Sequence, residues 1–347
     1  MRGPVVVKLG SGLIVGPKGR VRRSLLRDRA REVAELVRNK HPVCIVSSGA
    51  IALGLPQLGL KRRPRSIAKL QAASALGQAR LQAAWEEALR RHGLLAAQIL
   101  LTAGDVADRA AYVNARQALV ELFRLGAVPV VNENDVTATD EITFGDNDVL
   151  AAQIAVLVRA SLLVLLTEVE GVYTRVPGTV GAELVAEGAL VEEAELGEPT
   201  ALGRGGMRSK VLAAKMASAG GIPTVIAAGH GESVLDAILA GEPRGTRFEP
   251  AEHGESAFKL WLRFGKPIAG RVHVDEGARR ALVEQGASLL GIGVASSEGQ
   301  FDPGDAVELV GPDGTAFAKG LAEATADELA ARPRGLEAVH RDRLVVY

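Results

Sequence analysis

The sequence predicts an α/β protein: a mainly parallel sheet sandwiched by helices, followed by a small β-rich C-terminal module. Three observations carry this. Short β-branched runs alternate with longer amphipathic segments over the first part of the chain, which implies crossover connections and parallel strands covered on both faces. That periodicity stops at two clusters of turn formers, 241–245 and 249–254. Beyond them the texture changes to short strands and tight turns. A length of 347 residues exceeds one average domain, and a composition of 47% hydrophobic and 24% charged residues is ordinary for globular protein. The predicted domains are 1–250 and 258–347.

Taken in order, the first strand is predicted over Val5–Leu9 and the first long helix over 24–40. A strand at Val43–Ser47 precedes a helix at 67–91, a strand at 95–101 precedes a helix at 111–125, and another strand lies at 128–131. The longest apolar stretch, 149–166, approaches membrane-spanning length but contains Gln153, Arg159 and Ser161. It reads as a helix, a turn and a strand at 162–166. A glycine-rich segment, 203–210, opens a helix running to about Ala219, and a strand follows at 223–227. In the C-terminal module, strands are predicted at 258–264, 270–274 and 306–310, with a helix near 277–285 and turns at 302–305 and 311–314.

With 41 basic and 41 acidic residues the formal charge is zero, so nothing marks the chain as a whole for nucleic acid or an anionic membrane. Any polyanion must be held locally. The single cysteine, Cys44, lies in an apolar run with no basic neighbour, which predicts a buried inert thiol and a reducing compartment. The apolar run before Lys8 is too short for a secretory signal, so a cytoplasmic location is expected.

The chemistry-bearing clusters fall just after strands: Lys8-Leu9-Gly10-Ser11-Gly12, Ser47-Ser48-Gly49-Ala50, Asn132-Glu133-Asn134-Asp135, and Thr167-Glu168. One such cluster is ordinary turn chemistry; four on one edge of a sheet argue for a common site. Gly10 and Gly12 around Ser11 let backbone N–H groups approach a phosphate, with Lys8 adding charge. The Walker pattern is absent, and this segment alone does not separate a phosphate site from a turn. In 203–210, Arg204, Arg208 and Lys210 gather around a helix N-terminus with Gly205, Gly206, Met207 and Ser209, which suits an anion. The competing reading is a glycine loop with solvated charges. Asp146, Asn147 and Asp148 are all good N-caps, but capping needs only one of them. Together with Asn132, Asn134 and Asp135 they can bind an ammonium or a carboxylate, or orient Mg²⁺ and lysines. Zinc spacing and a GxSxG elbow are missing, which removes support for hydrolases and metalloproteases.

These motifs resemble the glutamate 5-kinase family of the amino acid kinase superfamily along nearly the whole chain. The matching segments are VVVKLGSG at 5–12, SSGAIALG at 47–54, NENDVTATDEITFGDNDVLAAQIA at 132–155, LLTEVEGVYT at 165–174 and GRGGMRSKVLAA at 203–214. VDEGARRALVEQGASLL at 274–290 resembles a PUA domain, a fold also found in RNA-modifying enzymes. The resemblance implies transfer of phosphate from ATP to L-glutamate, giving ADP and L-glutamyl 5-phosphate, the first step of proline synthesis. By matched position, Lys8, Gly10, Ser11, Gly12, Thr167, Glu168 and the run Arg204, Gly205, Gly206, Met207, Arg208, Ser209 and Lys210 would bind ATP. Ser48, Gly49, Ala50, Asn132, Asp135 and Asn147 would bind glutamate, and Lys8, Lys210, Asp146 and Asp148 would serve catalysis. It also implies Mg²⁺ dependence without a protein metal site, inhibition by proline, a homo-oligomer (dimer or tetramer) and contact with glutamyl phosphate reductase. Two positions depart from the family pattern, which commonly has Asp at Glu168 and Thr at Arg204. Acetylglutamate, aspartate, carbamate and uridylate kinases share the lysines, but a free α-ammonium calls for an anionic partner such as Asp135. RNA binding by the C-terminal module is not expected, because its charges balance and Phe258, Trp261, Phe264, Phe301, Phe317 and Tyr347 lack alternating basic residues.

Overall fold

The computed structural model describes residues 3–60, 62–137, 147–193, 206–252, 254–331 and 335–347. The chain divides into two compact units, Met1–Ala257 and Phe258–Tyr347.

The first unit runs β1 (Val5–Leu9), α1 (Ser11–Ile14), β2 (Val15–Gly16), β3 (Arg20–Val21), α2 (Arg23–Arg38), β4 (Val43–Ser47), α3 (Ala50–Gly54), α4 (Ile67–Arg90), β5 (Ala96–Leu101), α5 (Ala103–Ala107) and α6 (Arg109–Arg124). It continues through β6 (Val128–Glu133), α7 (Asn147–Leu157), β7 (Leu162–Thr167), α8 (Met207–Ala219), β8 (Thr224–Ala228), α9 (Val234–Leu239) and β9 (Thr246–Phe248). Its main sheet has the order β5-β6-β4-β1-β7-β8-β9. Every adjacent pair is parallel except β8 with β9. The central strands β1, β4 and β6 are buried at every position, which explains their unbroken apolar runs.

The two faces of β1 hold different cargo. Val5, Val7 and Leu9 join the core built with Leu26, Leu81 and Trp85 of α2 and α4. Strand alternation sends Val6 and Lys8 to the opposite face, where α7 and α8 pack on each other. Two side chains of α2 also secure the loop beyond β8. Arg29 donates to the carbonyls of Gly229 and Gly231 and to Glu32, while Glu32 accepts from the N–H groups of Val234 and Leu235.

Most predicted strands and helices of this unit appear close to their expected positions, and 149–166 is indeed a helix, a turn and a strand. Between the two clusters of turn formers, 241–245 and 249–254, lies the three-residue β9, which the sequence did not predict. Thr246 fixes it there, accepting from the Val172 N–H at 2.8 Å and donating to the Val185 carbonyl at 2.6 Å. Cys44 is fully buried, and burial pushes its thiol up, in keeping with an inert role.

The second unit takes in α10 (Ala257–Leu260) from its second residue, then a π-helical turn (Trp261–Gly265), β10 (Ile268–Val274), α11 (Glu276–Gln285), β11 (Leu289–Leu290), β12 (Val294–Gly299), β13 (Ala306–Val310), β14 (Ala316–Leu321), α12 (Ala326–Ala330), β15 (Glu337–Val339) and β16 (Leu344–Val346). Five strands form a sheet in the order β12-β10-β13-β14-β16 around a core that includes Val272, Phe301, Leu309 and Leu329. The expected strand at 258–264 is wrong: the segment is helical. Leu260, Trp261 and Leu262 are buried in succession, which strand alternation onto a half-exposed sheet does not allow. The buried ammonium of Lys319 closes the helical turn by donating to the carbonyls of Arg263 and Lys266.

Candidate active site

The sheet order β6-β4-β1-β7 sets the C-terminal ends of four parallel strands side by side. Asn132 and Asp135, Ser48, Lys8 and Thr167 therefore lie along one edge, where an open parallel sheet binds its ligands.

At the middle of that edge, Lys8 is 3% exposed and ion-pairs with Asp148 in the first turn of α7. Lys210, in the first turn of α8, reaches the other oxygen of the same carboxylate at 3.1 Å, and the Ser209 hydroxyl donates to it at 3.3 Å. Burial would raise the Asp148 carboxyl, but the two lysines outweigh it and hold the group below its ordinary value. Helix α8 opens at Gly206 with no side-chain cap among the described residues and no acidic residue in its first turn. The positive dipole end of this helix therefore favours an anion beside Lys210.

The glycine loop lies on one side of these lysines. Gly10 occupies the N-cap of α1, and Gly12 is so close to Glu168 that a Cβ there would stand 2.5 Å from Oε2. The longer carboxylate at 168 thus packs over the glycine loop. The Thr167 carbonyl accepts from the Gly229 N–H at 2.8 Å, which ties the end of β7 to the loop beyond β8.

On the other side, the Ser48 N–H donates to the Leu9 carbonyl, and Gly49 adopts φ +116°, a left-handed value that favours glycine, before Ala50 begins α3. Asn147 Oδ1 accepts from the Glu133 N–H at 3.1 Å, joining α7 to the end of β6. Asp135 and Asn132 are 5% and 2% exposed. Ser74 donates to one oxygen of Asp135, and Asn132 Nδ2 donates to Gln78 Oε1 at 2.7 Å. Asp135 Oδ1, Asn132 Oδ1 and Gln78 Nε2 are all buried without a hydrogen-bond partner among the described residues. Burial raises the Asp135 carboxyl, against the hydrogen bond from Ser74 and the charge of Arg63.

The structure thus brings Lys8, Asp148, Ser209 and Lys210 into one cluster and Asn132 and Asp135 into another, with Asn147 and Asp148 adjacent on α7. Asp146, Arg204 and Gly205 lie outside the described residues. Sequence reasoning missed Ser74 and Gln78 because no motif surrounds them. Their signal was polar residues on the helix face that also carries Leu70, Ala73, Gly77, Leu81 and Trp85.

Comparison with known proteins agrees with this architecture. The Amino acid kinase family profile matches residues 3–228 and the PUA domain profile residues 270–342. A glutamate 5-kinase of Geobacter sp. (strain M21) is 42% identical over 348 residues, covering 99% of this chain and 93% of the relative. The chain belongs to the glutamate 5-kinase family. A second glutamate 5-kinase, from Anaeromyxobacter dehalogenans (strain 2CP-C), is 44% identical and covers 99% of this chain and 92% of its own. The fold of this family member also matches a solved UMP kinase from Bacillus anthracis, with a TM-score of 0.50 at 16% identity, over 71% of this chain and 96% of that one.

Proposed function

We propose that this protein phosphorylates the side-chain carboxylate of L-glutamate with ATP, giving ADP and L-glutamyl 5-phosphate, the first step of proline biosynthesis. The observation that carries the reading is the convergence of Lys8 and Lys210 on the buried Asp148. A glutamate side chain titrates near ~4.3, so at neutral pH the nucleophile is already ionised and needs no general base. Catalysis then consists of positioning and charge neutralisation. Lys8 and Lys210, from two elements, balance charge on the transferring phosphoryl group and the departing ADP, and Asp148 fixes where their ammonium groups sit. The start of α8 and the glycine loop receive the phosphates, with Thr167 and Glu168 on the nucleotide side. Ser48, Gly49, Ala50, Asn132, Asp135 and Asn147 hold glutamate, with Asp135 opposite its α-ammonium.

Among the described residues no group of three His, Cys, Asp or Glu side chains is placed to hold a metal ion, and Asp148 is engaged by two lysines. Mg²⁺ therefore fits this site as a companion of the ATP phosphates, where it would neutralise phosphate charge. Proline carries an ammonium and a carboxylate on one carbon and would compete for the groups that hold those of glutamate. Leu95, just before β5, and Leu125, at the end of α6, are 71% and 67% exposed, and Leu119 is the single buried residue of α6. That edge suits a second copy of the chain. The acyl phosphate product is labile, and its consumer would be a reductase acting on that group.

The reading is tested by measuring ADP release by the protein with Mg²⁺-ATP and glutamate, N-acetylglutamate, aspartate or uridylate in parallel, with hydroxylamine present to trap any acyl phosphate. Hydroxamate with glutamate alone is expected. Activity on another acceptor instead would discard the substrate pocket while keeping the lysine roles. Lys8→Ala and Lys210→Ala are each expected to lower kcat by at least ~100-fold at saturating ATP, and near-normal turnover in both would refute the charge-neutralising assignment.

A further inference from the structure

Helix α4 brings two polar side chains to the glutamate end of the site. Ser74 and Gln78 are one helical turn apart on the same face, and they meet Asp135 and Asn132 respectively. The same face is fixed farther along by Trp85, whose Nε1–H donates to the Ser47 hydroxyl at 2.9 Å. The helix can approach this closely because of two glycines. A Cβ on Gly77 would stand 1.7 Å from the Ala50 carbonyl oxygen, and one on Gly54 would stand 1.8 Å from that of Ala73. Backbone therefore lies against backbone where α3 crosses α4, one residue before Gln78.

With the two carboxamides oriented as they are, the hydrogen-bonding capacity left in this cluster is two acceptors and one donor. Asp135 Oδ1 and Asn132 Oδ1 are acceptors, Gln78 Nε2 is a donor, and all three are buried and unpartnered. Burying polar atoms unpaired is costly, so such a set points to a ligand group that completes it. Two acceptors suit an ammonium; the amide donor suits a carboxylate.

Strand spacing identifies which carboxylate. Asn132 is the penultimate residue of β6, and Lys8 lies on β1, two strands away across β4, a separation of about 10 Å at the usual spacing between neighbouring strands. A five-carbon dicarboxylic acid with a hydrogen bond at each end spans about that distance. With the reacting carboxylate at Lys8 and Lys210, the α-groups reach the β6 end.

We propose that the Gln78 carboxamide, held by Asn132, donates to the α-carboxylate of the substrate and makes the pocket selective for acceptors carrying both an α-carboxylate and an α-ammonium. This rests on the glutamate reading above. Gln78 is thereby a specificity-determining residue, and Ser74 a positioning residue acting through Asp135.

The test uses the full chain and three probes: glutamate, glutarate (no α-ammonium) and 4-aminobutyrate (no α-carboxylate). Their dissociation constants are measured by calorimetry for wild type, Gln78→Leu and Gln78→Glu, together with KM and kcat for glutamate and ATP. Gln78→Leu is expected to weaken glutamate and glutarate by about 10-fold to 100-fold, as for a lost hydrogen bond to a charged group. Binding of 4-aminobutyrate and KM for ATP should stay within about twofold. Gln78→Glu keeps the side-chain volume and should weaken glutarate further by repulsion, which preserves the test if the leucine variant fails to fold. Equal weakening of all three probes, unchanged glutamate binding, or an effect confined to the two ammonium-bearing probes would each overturn the assignment. Failure of the kinase reading is separate: it would appear as wild-type protein that makes no hydroxamate from glutamate, whatever the binding pattern.

Discussion

Two buried aspartates, thirteen residues apart, shift in opposite directions for one physical reason. Asp148 has its cations built in, so Lys8 and Lys210 overcome burial and hold it ionised. Asp135 has Ser74 and the charge of Arg63, but burial wins and its carboxyl is raised. Linkage gives each a sign. Asp148 contributes stability above the unfolded carboxyl value of about 3.9, and that contribution is lost as pH falls through and below it. Asp135 binds more protons folded than unfolded in the window above ~3.9, so the free protein loses stability there as pH rises. A substrate ammonium on Oδ1 requires the ionised form. Hence kcat/KM for glutamate should fall with acidity through a group titrating above the ordinary Asp value, while KM for ATP is unmoved. Asp135→Asn should flatten that limb and raise KM for glutamate by about 100-fold, the scale of a lost buried charge pair. An acid limb surviving in the variant would assign it to another group. Both aspartates were legible in the sequence because they sit in polar runs at strand and helix ends. Ser74 and Gln78 were not, since their meaning arises only when α4 is laid across the end of β6.

The crossing of α3 and α4 converts a local residue choice into site geometry. Alanine at position 77 would favour the isolated helix by roughly 1 kcal/mol over glycine. Against that, its Cβ would meet the Ala50 carbonyl at 1.7 Å, a backbone atom that cannot rotate away. Overlap should win, so Gly77→Ala is expected to destabilise by about 2 kcal/mol or more and to raise KM for glutamate by displacing Gln78 and Ala50. Urea unfolding with an unchanged m-value would measure the first effect; a gain in stability would show that the helices separate freely. The same distinction between local signal and context explains which elements the sequence revealed. Strands β1, β4 and β7 are apolar runs buried on both faces, and helices α2 and α4 show the helical period. At 258–264 the aromatic and aliphatic run fits either period. The deciding contact comes from Lys319, more than fifty residues away. Strand β9 escaped for a similar reason, since Thr246 draws its partners from positions 172 and 185.

At the scale of the whole molecule, two units with separate cores share one chain, and each contains one of its two tryptophans, Trp85 and Trp261. That placement allows the C-terminal unit to be followed alone. Its buried Lys319 holds the helical turn next to Trp261 by donating to two carbonyls. Burial lowers the ammonium to about 8, with the charge of Glu308 opposing the shift. The unfolded chain titrates near 10.4, so between about 8 and 10 it binds the proton that the folded unit releases. More protons on the unfolded state means stability that rises with pH. In a Trp85→Phe background, the thermal midpoint reported by Trp261 fluorescence should therefore climb between pH 8 and 10, by an amount on the order of 1 kcal/mol in stability. Adding Lys319→Met should remove the slope, because no ammonium remains to release a proton, and should lower the midpoint at pH 7.5 by leaving two carbonyls unpartnered. A flat profile in the Trp85→Phe protein would mean that the carbonyls of Arg263 and Lys266 offset the cost of burial and keep the ammonium charged. The turn would then be a fixed structural cap, indifferent to pH over this range.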